Sequence, residues 1–194
     1  RMRRTYLAWP AFAGVGYNYG TDSLIGRTLP FFKQFSAGGP YSMRAWGLRQ
    51  LGLGSSTQSE QDTMKNSYRD RFGDMQLEAN VEYRFPLATI AGVKLSSALF
   101  ADMGNVWNVK KDDADLKAQF SFKNLYNDLA IGVGTGIRID LSYFLIRLDV
   151  AYKVKDPARP YNNGWMNGFN FYETRPNGLE VSNYAFQFGL GLPF

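Results

Sequence analysis

Alternation of apolar and polar residues at a period of two, sustained over runs of about ten residues, is the feature that most narrows the folds open to this chain. In QLEANVEYRF (residues 76–85), Leu77, Ala79, Val81, Tyr83 and Phe85 oppose Gln76, Glu78, Asn80, Glu82 and Arg84. A helix would mix these sets around its circumference, whereas an extended strand sorts them onto opposite faces. DLAIGVGTGIRID (residues 128–140) sets Ile131, Val133, Ile137 and Ile139 against Gly132, Gly134, Gly136 and Arg138. LIRLDVAYKV (residues 145–154) sets Ile146, Leu148, Val150 and Tyr152 against Arg147, Asp149, Ala151 and Lys153. In YAFQFGLGLPF (residues 184–194), Tyr184, Phe186, Phe188, Leu190, Leu192 and Phe194 face away from Gln187, Gly189 and Gly191. VKLSSALFADM (residues 93–103) and residues 7–19 alternate less cleanly, which brings the expected strands to six.

Ten residues at about 3.3 Å each, tilted by about 45°, rise roughly 23 Å, close to the apolar band of an outer-membrane barrel. No apolar run approaches the length of a membrane-spanning helix, and the mean hydropathy is −0.30. A strand alternating between lipid and lumen averages to that same mild hydrophilicity. The connections agree: residues 85–92 and 140–144 are short links, whereas 20–73, 105–127 and 156–183 are long, polar and rich in Gly, Asn and Asp. Strict alternation of short and long links belongs to membrane barrels, with tight turns at one end and long loops at the other. If the last strand ends on the periplasmic side, all three long loops are extracellular. The first, about 54 residues long, exceeds what a passive hairpin needs and signals a functional loop. Trp9, Tyr19, Trp107, Tyr143, Phe144 and Tyr184 suit interfacial aromatic girdles, although β-propensity alone also favours them.

The chain holds no cysteine and no histidine, which removes disulfides, thiolate and imidazole metal sites, and any Ser-His-Asp arrangement. Asp112, Asp113 and Asp115 lack the Gly and distal Glu of an EF-hand and read as a solvated loop. Gly132, Gly134 and Gly136 sit at period two inside a strand with no helix following, so they read as thin lumen-side packing and not as a nucleotide cradle. Ser55, Ser56 and Ser59 have no base partner nearby in sequence. The expectation is therefore a non-enzymatic chain without metal or cofactor. Lys and Arg exceed Asp and Glu by 22 to 17, but only Arg1, Arg3 and Arg4 cluster, so no nucleic-acid partner is expected. The first residues lack a signal-peptide apolar region, which implies a removed leader or a start inside a longer precursor.

LPFFKQFSAGGPYSMRAW (residues 29–46), GDMQLEANVEYRFPL (73–87), LFADMGNVW (99–107) and a closing strand ending in Phe194 occur in that order. This set resembles the C-terminal half of the BamA/TamA family of outer-membrane assembly barrels, also called bacterial surface antigens. The AGGPYSMRAW variant looks most like TamL-type members. The resemblance implies an all-β, antiparallel transmembrane β-barrel of sixteen strands, with residues 1–194 as its C-terminal part. The remaining strands and POTRA domains would lie N-terminal in the precursor or come from another chain. It implies a Gram-negative outer membrane, insertion or translocation of nascent outer-membrane proteins, and accessory lipoproteins or a periplasmic or inner-membrane partner.

Residue by residue, the resemblance implies that the 20–73 loop folds into the lumen past a Gly38-Gly39 turn. Its tip matches the family's Val-Arg-Gly-Phe/Tyr at Met43, Arg44, Ala45 and Trp46. Ala45 replaces a glycine, and alanine tolerates positive φ poorly. In the family the Arg pairs with two wall carboxylates, which match Glu82 and Asp102. The strand reading sets both on polar faces of adjacent antiparallel strands, where an Arg between them can make charge-assisted, bidentate hydrogen bonds. Phe186, Phe188, Leu190, Leu192 and Phe194 match the C-terminal assembly signal, and by resemblance the first and last strands form a seam that opens toward lipid. Alternatives from other classes are a passive porin or ligand channel, and a soluble ligand-binding barrel whose apolar face points inward.

Overall fold

The computed structural model describes residues 5–19, 29–57, 70–110, 115–141, 143–175, 178 and 180–191. The strands are β1 (Tyr6–Ala8), β2 (Ala11–Val15), β3 (Met75–Ile90), β4 (Val93–Trp107), β5 (Ala130–Asp140), β6 (Leu145–Lys155), β7 (Tyr172–Thr174), β8 (Glu180–Ser182) and β9 (Tyr184–Gly191). Seven of them form one antiparallel sheet in the order β1-β3-β4-β5-β6-β9, with β2 also on β3; β7 and β8 pair separately. Each long strand pairs with its neighbours in sequence, so the sheet is an up-and-down meander with β1/β2 at one edge and β9 at the other. This open sheet is a portion of an antiparallel transmembrane barrel.

The alternation seen in the sequence becomes two chemically opposed faces. Val81, Tyr83, Leu99, Met103, Val133, Ile137, Leu148, Val150, Phe186, Phe188 and Leu190 are exposed, while Glu82, Asp102, Arg138, Asp149 and Lys153 are buried. A soluble barrel would bury the first set and solvate the second. Here the apolar face is left bare for lipid and the charged face is covered by residues 29–57, which rules against the soluble ligand-binding alternative.

Several strand limits differ from those expected. The single first strand over residues 7–19 is divided: β1 and β2 share one continuous register on β3, Ala8 facing Glu82 and Ala11 facing Ala79. Pro10 interrupts it because it has no N–H to donate, although its carbonyl still accepts from Asn80 N at 2.9 Å. The link at 85–92 is mostly strand. Pro86 is absorbed by a register shift between Pro86 and Ala88, and the true turn is Ala91-Gly92, both at positive φ (50° and 85°) as a tight hairpin turn demands. The second long loop starts after Trp107 and not at Asn105, and Asp128 belongs to a helical turn, Leu125–Asp128, ahead of β5. Within the third long loop, β7 and β8 form a small hairpin.

That third loop is held by buried charge. The Asp156 carboxylate lies 3.4 Å from Lys153 Nζ and 3.4 Å from Arg175 Nη2, and accepts from Ala158 N at 3.2 Å. Arg159 grips Glu173 of β7, with Nε 2.8 Å from each carboxylate oxygen. Burial alone would raise the Asp156 pKa, but the Lys153 and Arg175 charges and the Ala158 N–H outweigh it and hold the carboxyl below the usual aspartate range. A lowered folded-state pKa contributes stability that is present above the unfolded aspartate pKa and is lost as pH falls through the folded one. Amide exchange across residues 156–175 is therefore expected to stay slow through the ordinary carboxylate range and accelerate only below it. Asp156→Asn should show fast exchange already at neutral pH; identical profiles for the two proteins would contradict the assignment.

Candidate functional site

The site lies where residues 37–51 press on the inner face of β3, β4, β5, β6 and β9. Gly38 and Gly39 have φ of 114° and 98°, a left-handed conformation that lets the chain reverse, and a Cβ on Gly38 would sit 2.2 Å from the Gly47 carbonyl oxygen. Gly39 N donates to Trp46 O at 3.0 Å and Trp46 N to Met43 O at 3.1 Å, so residues 39–46 close on themselves. Met43, Arg44, Ala45 and Trp46 are all buried. Ala45 is not among the positive-φ residues, so the tip turns without needing glycine there.

Arg44 occupies the centre. Its Nε and Nη2 donate to Asp102 Oδ2 and Oδ1 at 2.9 and 2.6 Å, a bidentate fork, and its Nη1 donates to Glu82 Oε2 at 2.5 Å. Its backbone N–H also donates to Asp102 Oδ2 at 3.0 Å, and Asn80 Nδ2 donates to Oδ1 at 3.0 Å. The guanidinium carbon lies 3.5 Å from the centroid of the Phe100 ring, a cation–π contact out of water. Arg44 is 4% exposed, Glu82 6% and Asp102 1%, so these charges are desolvated and depend on one another.

The charge network extends beyond those three residues. Arg138 Nη2 donates to Glu82 Oε1 at 3.1 Å and its Nη1 bonds Asp149 Oδ1; Arg84 Nε donates to Glu82 Oε1 at 2.7 Å. Arg147 Nη2 lies 3.2 Å from Asp149 Oδ2 and 3.3 Å from the Pro40 carbonyl oxygen, tying the loop to β6. Arg138 and Asp149 were legible as inner-face residues from their period, but nothing local ties them to Glu82. Their meeting follows from register, which sets Arg84, Ala98, Gly136 and Asp149 in one row across the sheet, with Glu82 two residues from Arg84 and Arg138 two residues from Gly136.

Apolar contacts complete the seat. Ala37, Met43, Ala45, Trp46 and Leu51 of the loop pack with Phe100, Val106, Ala130 and Ala151 of the wall. Gly132 has a use beyond thin packing: a Cβ there would lie 2.7 Å from Ala45 Cβ and 3.4 Å from the Trp46 ring. A bare backbone at that position admits the loop tip. Phe100 was the available signal, an aromatic on a face otherwise polar.

The last strand also holds the loop. Gln187 Nε2 donates to the carbonyl oxygens of Arg44 and Trp46 at 3.0 and 2.9 Å, and the Tyr41 hydroxyl donates to the Leu190 carbonyl. Phe186, Phe188 and Leu190 point to the other, lipid-facing side, and are 79%, 58% and 55% exposed. Leu192 and Phe194 lie outside the described residues, as do Asp112, Asp113 and Ser59. Asp115 caps a short 3₁₀ turn, accepting from Lys117 N at 3.1 Å and from the Ser56 hydroxyl.

A bare apolar belt on one face, a buried ion network on the other and a long loop seated inside define an outer-membrane β-barrel protein. The chain matches the Omp85 superfamily domain over residues 4–194 and belongs to that superfamily, the one that includes BamA/TamA-type barrels. No curated relative matches the chain. Omp85 proteins reside in the outer membranes of Gram-negative bacteria and of organelles, where they serve protein insertion or translocation.

Proposed function

We propose that this chain is the C-terminal, TamL-like part of a barrel that inserts or translocates other outer-membrane proteins, and that its working edge is β9. The carrying observation is that the loop tip is fastened at once to the inner wall, by Arg44 on Glu82 and Asp102, and to the edge strand, by Gln187 and Tyr41. β9 is the last strand of the sheet, and in this reading its seam with the barrel's first strand, once opened, would offer backbone donors and acceptors for β-augmentation by an incoming strand. The AGGPYSMRAW tip supports the TamL-like assignment, and the long loops are taken as extracellular. Nascent outer-membrane proteins are the clients, with accessory lipoproteins or a periplasmic or inner-membrane partner delivering them.

Photo-crosslinkers placed at Phe188 of β9 and at Val133 of β5 in the full-length protein test this reading. Client strands should be captured from Phe188 and not from Val133. Equal capture at both positions, or graded solute conductance with no assembly defect on depletion, would favour the passive channel instead.

A further inference from the structure

The segment 168–172 of the third long loop does not lie over the inside of the sheet. Tyr152 and Tyr184 face each other directly across β6 and β9, in register with Val150 opposite Phe186 and Leu148 opposite Phe188. Directly opposed residues at this period share a face, so both tyrosines belong to the apolar, outward side. Phe169 packs on Tyr152 with ring centroids 5.0 Å apart, Phe171 stacks on Tyr184 at 4.7 Å, and the two tyrosine rings are 4.8 Å apart. Backbone contacts pin the segment in place: the Tyr152 hydroxyl donates to the Gly168 carbonyl, and Asn183 donates through its N–H to Phe171 O (2.9 Å) and through Nδ2 to Asn170 O (3.0 Å).

The far sides of these rings are uncovered. Phe169 is 78% exposed, Phe171 64% and Tyr172 66%, an aromatic patch continuous with the belt of Val150, Phe186 and Phe188. Glu173, Arg159, Arg175 and Asp156 of the same loop are engaged with one another. Tyr152 lies eight residues beyond Phe144, the exposed aromatic at the short-turn end of β6. At about 3.3 Å per residue and a tilt of about 45°, that is a rise of roughly 19 Å, near the upper rim of an apolar band about 25 Å tall. Aromatic rings concentrate at that boundary.

We infer that residues 168–172 form a lipid-binding anchor: Phe169, Phe171 and Tyr172 enter the bilayer interface at the long-loop end and pin the outer end of β9 to the membrane. The occupant is lipid because the patch continues the face that lipid already covers, is uncharged at its centre and sits at interfacial height. Anchored in this way, β9 resists displacement at its long-loop end.

The inference rests on the membrane placement of the sheet and not on the client-insertion reading, and one experiment separates the two. Single cysteines at Phe169, Phe171, Asn163 and Val133 of the full-length protein are labelled with an environment-sensitive fluorophore and reconstituted in phosphatidylcholine vesicles. Quenching is read with a shallow nitroxide lipid and with aqueous iodide. Labels at 169 and 171 should be quenched several-fold more by the nitroxide lipid than the label at 163, and less by iodide, approaching the belt reference at 133. Iodide quenching at 169 and 171 equal to that at 163 overturns the anchor, as does shielding from both quenchers, which would mean that protein covers the patch. Failure of the label at 133 itself to meet lipid would overturn the membrane placement too.

Discussion

Arg44→Ala is expected to cost about 3–5 kcal/mol, because it leaves the buried Asp102 carboxylate without a cation and takes one of three cations from Glu82. Glu82 retains Arg84 and Arg138, but Asp102 keeps only the Asn80 amide and the backbone N–H of residue 44. The heat-modifiability midpoint of the folded barrel should fall, and the loop should become accessible to protease. The exposed pair Arg49–Asp70, with side chains 47% and 49% exposed, provides the contrast. Arg49→Ala should cost no more than about 0.2–1 kcal/mol. Charge and role can be separated with Arg44→Met combined with Asp102→Asn, since Glu82 keeps Arg84 and Arg138. Neutralising this pair removes the stranded carboxylate and should recover most of the midpoint, whereas client assembly should stay impaired if the fork is what positions the tip. An Arg44→Ala protein with an unchanged midpoint and full assembly activity would discard the site.

Gly132→Ala should also unseat the tip, through sterics alone. The added methyl would sit 2.7 Å from Ala45 Cβ, on a strand held between Asp102 of β4 and Lys153 of β6. Overpacking of this kind costs about 1–3 kcal/mol. Since the clash is between two β-carbons, Ala45→Gly in the same chain should restore the seat, and the pair should show strong positive coupling in a double-mutant cycle. Gly191→Ala, where an added methyl meets nothing within 4 Å, should be silent. If Ala45→Gly does not rescue Gly132→Ala, the close approach is not what sets that position.

Much of the fold was legible because each strand's pattern is local. The split of residues 76–85, 128–140, 145–154 and 184–194 into two faces needs nothing but a period of two, and the long links stand out by length and composition. Strand limits were less legible. Pro86 reads as a stop, yet a bulge lets β3 run on to Ile90; Pro10 reads as tolerated, yet it divides the first strand. The difference lies in whether a neighbouring strand can absorb the lost donor, and the neighbour is not visible in the local sequence.

The site divides in the same way. That Glu82 and Asp102 share one side of the sheet follows from their place in alternating strands, and the resemblance carried by residues 29–46 supplied Arg44. Arg138 on Glu82, Gln187 on the backbone of Arg44 and Trp46, and the empty space at Gly132 could not be read in advance. Each depends on residues 56 to 143 positions apart in the chain meeting at one register. By itself, the sequence determined which residues face lipid and which face inward, because side-chain direction in a strand is set one residue at a time. Only the tertiary structure decided which inward residues meet. Register is fixed jointly by every turn and bulge between two strands, and the loop finds its seat only where a bare glycine, a ring and two carboxylates have already been brought together.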